Sequence, residues 1–140
     1  MADSIPRVYL REITTALAAE TLKVAFFVDL IGYTETDATN TYTSLVSGGA
    51  TEVASNGTTN YTTGGYTLTT TSSNMTGNGA KLTATYTSLA SATLSYRYAV
   101  IYKSGGNIRF IKDHGSLRSV TSGTITITWD ATNGIVNFKF

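Results

Sequence analysis

The chain has 140 residues, 41% of them hydrophobic, enough to build one core and too few for two comfortable domains. Ten basic against nine acidic side chains leave a formal charge of +1, so the chain as a whole lacks the strong field that marks nucleic-acid or membrane-surface binding. With no cysteine there is neither a disulfide framework nor a thiolate zinc site, and the fold must stand on packing.

From Ser4 to Ala19 the apolar residues Ile5, Val8, Tyr9, Ile13, Ala16 and Leu17 recur near helical spacing, with Ser4 placed to cap and Pro6 in the first turn. The pattern predicts a short amphipathic helix. The β-branched pair Thr14-Thr15 weakens helix propensity and keeps open an extended arm reaching a neighbouring subunit. No cationic leader with an apolar core precedes it, and no segment approaches the ~20 apolar residues of a membrane span, so synthesis in a cytoplasm and no membrane partner are expected.

Thr21 to Ile31 reads as a central strand: Val24, Phe26, Val28 and Leu30 share one face, and Ala25, Phe27 and Ile31 the other. The polar stretch from Gly32 to Thr63 is weakly patterned at Tyr42, Leu45, Val46 and Val53, which predicts short strands or an ordered loop and a possible contact surface. Gly64-Gly65 then opens a strand through Tyr66, Leu68 and Thr70. Asn78-Gly79 turns it into a partner from Lys81 to Leu89, in which Leu82, Ala84 and Tyr86 alternate with threonines.

The clearest signal runs from Ala92 to Lys103. Leu94, Tyr96, Tyr98, Val100 and Tyr102 fall on one face and Thr93, Ser95, Arg97, Ala99, Ile101 and Lys103 on the other. Ser104-Gly105-Gly106-Asn107 turns it into a second strand from Ile108 to Lys112, which His114-Gly115 is expected to end. Ser122-Gly123 introduces a strand from Thr124 to Asp130 with Ile125, Ile127 and Trp129 inward, and Asn133-Gly134 leads into a last one from Ile135 to Phe140. The expected fold is all-β, an antiparallel β-sandwich or jelly roll of about eight strands, with residues 1–20 as the N-terminal helix or arm and 21–140 as one β-sandwich domain.

Catalytic chemistry finds no foothold in this pattern. His114 is the single histidine, and its neighbour Asp113 would point to the opposite face of a strand, so the pair is not a dyad. Asp29, Glu35 and Asp37 form the densest carboxylate group but lack the alternating ligands of a calcium loop, and read as solvated loop residues. The serines have no nucleophile-elbow context, and the Gly-Gly pairs join no strand to a helix at phosphate-binding spacing. The reading is a non-enzyme with no metal and no cofactor.

The nine tyrosines carry more information. Tyr33, Tyr42, Tyr61 and Tyr66 sit in the polar, loop-rich third, where exposed rings would contact a protein or, alternatively, stack on a glycan through Tyr61 and Tyr66. Tyr96, Tyr98, Tyr102 and Trp129 alternate with the core-facing set and read as core or subunit-interface residues, which makes Tyr96, Tyr98 and Tyr102 the candidates for self-association.

The short helix, the run Ala19-Glu20-Thr21-Leu22-Lys23-Val24-Ala25-Phe26-Phe27, the run Asn60-Tyr61-Thr62-Thr63-Gly64-Gly65-Tyr66-Thr67-Leu68 and the run Arg97-Tyr98-Ala99-Val100-Ile101-Tyr102-Lys103 together resemble small structural proteins of tailed bacteriophages. The resemblance spans most of the chain and rests on hydrophobic pattern. It implies a virion component, a capsid decoration or cement protein with a β-sandwich body that sits on the head surface as a homotrimer and binds the major capsid protein; a tail or neck component is the neighbouring possibility. On that reading Ile5, Val8, Tyr9, Ile13, Leu17, Tyr33 and Tyr42 are the capsid-contact candidates, and nucleic acid is not a partner. A carbohydrate- or receptor-binding β-sandwich is the alternative.

Overall fold

The computed structural model describes residues 7–34, 40–75, 79–85, 89–125 and 136–139. These are mainly antiparallel β-structure with a helix at the N-terminal end, arranged in two compact units. One unit comprises Met1–Thr21, Leu68–Tyr86 and Ile127–Phe140; the other comprises Leu22–Thr67 and Thr87–Thr126.

In the first unit the predicted helix is present as α1, Arg7–Ala18; Ser4, Ile5 and Pro6 lie outside the described residues. Its inner side buries Leu10 and Thr14. A threonine hydroxyl can be buried there because Thr14 Oγ1 donates back to the carbonyls of Leu10 (3.3 Å) and Arg11 (3.1 Å), the local solution open to a β-branched polar residue in a helix. The helix packs on the hairpin of β3, Thr69–Met75, and β4, Gly79–Thr85. Thr70 Oγ1 of β3 donates to the Ala18 carbonyl (2.9 Å), satisfying one of the acceptors that a helix end leaves unpaired. Leu82 and Ala84 are buried as their alternation predicts, and β4 pairs on its other edge with Val136–Lys139, the last described strand. Gly79 begins β4 opposite Met75, while Asn78, Tyr86, Ile127, Trp129 and Asn133-Gly134 fall outside the described residues or their side chains do.

The second unit is built on β1, Leu22–Phe27, which lies between β2, Tyr66–Thr67, and β5, Leu89–Lys103, in a sheet whose far edge is β6, Ile108–Ile125. The last described strand, Val136–Lys139 of the first unit, is β7. As the doubly apolar sequence predicts, both faces of β1 are covered: Val24, Ala25, Phe26 and Phe27 are all fully buried. On one face Ala25 and Phe27 join Leu45, Ala50, Val100 and Tyr102 in a core cluster. On the other, the Phe26 ring meets Tyr96 at 4.7 Å and Tyr61 at 5.7 Å between centroids. Along β5 the burial alternates at Ala92, Leu94 and Tyr96, then a register shift between Tyr96 and Tyr98 precedes a stretch, Ala99 to Tyr102, buried on both sides where β1 lies alongside.

Two sequence expectations need correction. The strand after the Gly105-Gly106 turn does not stop at Lys112: β6 runs through His114-Gly115 and Ser122-Gly123, absorbing them as irregularities, with Gly115 at φ +78° and Ser122 at φ +47°. Glycine and serine there mark bulges in one long strand, a use of Gly that the turn reading does not distinguish. Within the polar third, Tyr42–Ser47 is a helix, α2, fixed by a reciprocal cap in which Thr41 Oγ1 accepts from Ser44 N (3.0 Å) and Ser44 Oγ accepts from Thr41 N (2.8 Å). Asp29 is a loop carboxylate whose Oδ1 accepts exposed hydrogen bonds from the backbone N–H of Ile31 and of Thr51; the Thr51 hydroxyl first, and then these N–H groups, hold its pKa below the usual range.

Candidate functional site

The most organised polar cluster lies where residues 51–67 run along the edge of β1. Val28 N donates to Thr51 O (2.8 Å) and Val53 N to Phe26 O (3.0 Å), so Glu52 is pinned opposite Phe27 and its side chain turns toward the segment that leads into β2. Its carboxylate accepts from Tyr42 OH (2.5 Å), Tyr61 OH (2.6 Å) and the Gly64 N–H (2.7 Å). The Tyr61 oxygen in turn accepts from Phe26 N (3.1 Å), and Tyr102 OH donates to the Gly64 carbonyl (2.5 Å). The Tyr42 and Tyr102 rings stack with centroids 4.6 Å apart.

One carboxylate thus ties α2, the 61–65 turn and β1 together, with β5 joining through Tyr102. Gly65 completes the clasp: at φ +68° it lies so close to β1 that a Cβ would overlap the Val24 carbonyl oxygen and come within 2.8 Å of Ala25 Cα. Burial, and then the neighbouring Glu52, push the ionisation of Tyr42 and Tyr61 far above the ordinary phenol range, and the same two causes raise Tyr102 to about 12. All three therefore stay neutral donors at any physiological pH. The chemistry of the cluster is that of a clasp: it holds backbone and phenols, and its carboxylate already accepts three hydrogen bonds.

This placement corrects the reading of the tyrosines. Tyr61, the first glycan candidate, is 2% exposed and its ring packs on Phe26, so it offers no face for stacking. Tyr66 is partly buried, its ring edge-on to Tyr61 and its hydroxyl bonded to Asn60 O and Thr62 N. Tyr42 and Tyr33 are half-buried against the Phe27 cluster. Of the self-association candidates, Tyr96 and Tyr102 are buried within this chain, because the sheet itself supplies their partners. Tyr98 is half-buried beneath the Arg97 guanidinium, 4.9 Å from its ring centre. Buried tyrosine alternating along a strand looks the same in sequence whether the cover comes from the same chain or from another.

The helix candidates divide. Val8 (69% exposed) and Tyr9 (55% exposed) face outward, and Ile13 and Leu17 are half-buried. Val8, Arg11, Glu12, Thr15, Ala16 and Ala19 line a shallow depression along the helix. Ile5 lies outside the described residues.

On the β5–β6 hairpin, Asp113 and His114 have different partners. Arg97 forms a two-pronged pair with Asp113, Nε and Nη2 each 2.9 Å from a carboxylate oxygen, and the Gly115 N–H adds a third bond (2.7 Å). That arrangement, Arg97 first, lowers Asp113 to about 2. His114 packs edge-on to Tyr96 at 5.5 Å. Its pKa lies below the ordinary value through burial and then through the nearby cations Arg118 and Lys112. Among the described residues no three His, Cys, Asp or Glu side chains converge to hold a metal.

No protein-family model, curated protein or solved structure matches the chain. The geometry stands without a relative to lend it a function. Sequence reasoning missed Glu52, whose one available signal is its position as a lone carboxylate between β-branched and tyrosine-bearing segments.

Proposed function

We propose that the chain is a non-enzymatic virion structural protein, a capsid decoration (cement) protein that binds the outer head surface as a homotrimer and stabilises contacts between capsomers. The architecture that accompanies this reading is an antiparallel sandwich or jelly roll of about eight strands. The observation that carries it is the division of labour in α1, which buries Leu10 and Thr14 against its own hairpin while turning Val8 and Tyr9 outward. An aromatic beside an aliphatic on a rigid helix supplies the kind of anchor that protein interfaces use, and many weak anchors on a lattice add through multivalency. The Glu52 clasp supports the same reading: it serves rigidity, which a cement protein needs more than chemistry.

The test has two arms. Light scattering on the eluting chain, at dilutions below micromolar, is expected to give three times the 14.9 kDa chain mass; a monomer throughout overturns the trimer. Cosedimentation with undecorated heads of the phage that encodes the chain is expected to saturate, and to weaken when Val8 and Tyr9 are both changed to Ser. Failure of the wild type to sediment with heads overturns the decoration role.

A further inference from the structure

The formal charge of +1 hides a marked local imbalance. The β5–β6 hairpin carries five cations, Arg97, Lys103, Arg109, Lys112 and Arg118, against one carboxylate, Asp113. That carboxylate is already neutralised by Arg97. The register then concentrates what remains. Arg118 lies across from Tyr96 and Lys112 across from Ala99, and the irregularity between these pairs holds His114 against the Tyr96 ring, within electrostatic reach of both cations. Lys112 and Arg118 are exposed and His114 is half-buried. Between them Leu117 stands 53% exposed on the same bulged segment. Hydroxyls flank the group, with Ser119 Oγ 2.7 Å from Ser95 Oγ.

We propose that the segment of β6 from Lys112 to Ser119 is a docking surface for an acidic polypeptide, whose carboxylates meet Lys112, His114 and Arg118 while an apolar side chain covers Leu117. Charge complementarity fixes the sign of the partner. Its kind follows from the rest of the surface: an exposed leucine among the cations suits a protein surface, and of the nearby tyrosines Tyr96 is buried, while Tyr98, across from Asp113, packs against the core cluster and lies beneath the Arg97 guanidinium, which leaves neither ring open for stacking on bases. The surface is distinct from the outward face of α1, and the inference does not depend on the virion reading.

The probe is poly-L-glutamate, with single-stranded DNA as the comparison at matched charge. The full chain is expected to bind poly-L-glutamate at low salt and to weaken steeply as salt rises. The double variant Lys112→Glu with Arg118→Glu should bind about tenfold more weakly or worse, while Arg7→Glu with Arg11→Glu, the same change in net charge placed on α1, should not. Circular dichroism checks that both variants keep the fold.

A second readout needs no variant. His114 is faced by Tyr96 of β5 and by Lys112, Asp113 and Arg118 of β6, with Arg97 held on Asp113. Carboxylates docked beside it must therefore raise its pKa, which the imidazole proton resonances report directly. No binding, equal weakening by the control pair, tighter binding to DNA than to poly-L-glutamate, or an unmoved His114 titration would each overturn the proposal.

Discussion

Removing the Glu52 carboxylate should be the most damaging polar substitution in the second unit. Glu52→Ala leaves Tyr61 OH, Tyr42 OH and the Gly64 N–H without their acceptor. A hydrogen bond to a charged group contributes about 1.5–3 kcal/mol net, but Tyr42 is only half-buried and can turn to water, and the carboxylate's own desolvation is recovered. The expected loss is therefore about 3 kcal/mol, well short of the sum of three bonds. Glu52→Gln keeps one acceptor oxygen and sets an amide N–H₂ against a second donor, so about 2 kcal/mol should go. Urea unfolding measures the total. Because the chain packs as two units, amide exchange at Phe26 and Gly64 isolates the local effect, and protection there should fall roughly 100-fold in Glu52→Ala. Should Glu52→Ala unfold within about 0.5 kcal/mol of wild type, with Phe26 exchange unchanged, the clasp contributes nothing and the account of Glu52 is wrong.

Four further outcomes follow from the same geometry. Gly65→Ala, which adds a Cβ against unyielding β1 backbone at positive φ, should cost roughly 2–4 kcal/mol, whereas Gly57→Ala, with nothing within 4 Å, should stay within about 0.5 kcal/mol; thermal unfolding of the pair decides it. Tyr102 has a folded pKa raised to about 12, so its contribution is complete below its unfolded value and is lost as pH rises toward 12. A phenolate absorbance titration should accordingly show a group of tyrosines that ionise only together with alkaline unfolding. Asp113, depressed to about 2, behaves oppositely: its favourable pairing holds above the ordinary carboxylate pKa and disappears as pH falls through about 2, which carboxyl carbon shifts in NMR can follow. In α1, Leu10→Ala should cost about 2–4 kcal/mol while Val8→Ser stays within about 0.5 kcal/mol, a contrast readable by chemical denaturation.

The parts of the fold that the sequence makes legible are those whose signal is hydrophobic period. The helix around Leu10, the doubly covered strand at Val24 to Phe27, the Leu82 and Ala84 face and the Ala92 to Tyr96 alternation are all written in spacing that burial enforces. What the spacing hides is long-range pairing. α2 is only six residues long and depends on a Thr41/Ser44 cap in a stretch crowded with Thr and Ser, so its signal drowns in composition. The continuity of β6 through Gly115 is invisible because a glycine that bulges a strand and one that ends it are the same letter. Glu52 is harder still, since its three donors come from positions 42, 61 and 64 and meet only once the chain has folded along β1.

The tyrosines show why a function read from aromatic count would go astray in this chain. A tyrosine is useful at an interface because it joins a large apolar ring to a polar tip, and those same properties make it useful inside a small core. Here Tyr42, Tyr61 and Tyr102 direct their hydroxyls at one carboxylate and one glycine carbonyl, and Tyr96 gives its ring to Phe26 and His114. With those rings turned inward, what the second unit offers outward is charge and a few aliphatic knobs, Ile31, Val46 and Leu117. Charge on an extended strand with bulges at Gly115 and Ser122 is also how an edge strand avoids indiscriminate pairing with other sheets. Lys112 and Arg118 thus have two consequences at once: they discourage backbone-to-backbone addition along β6, and they select for a partner that brings carboxylates.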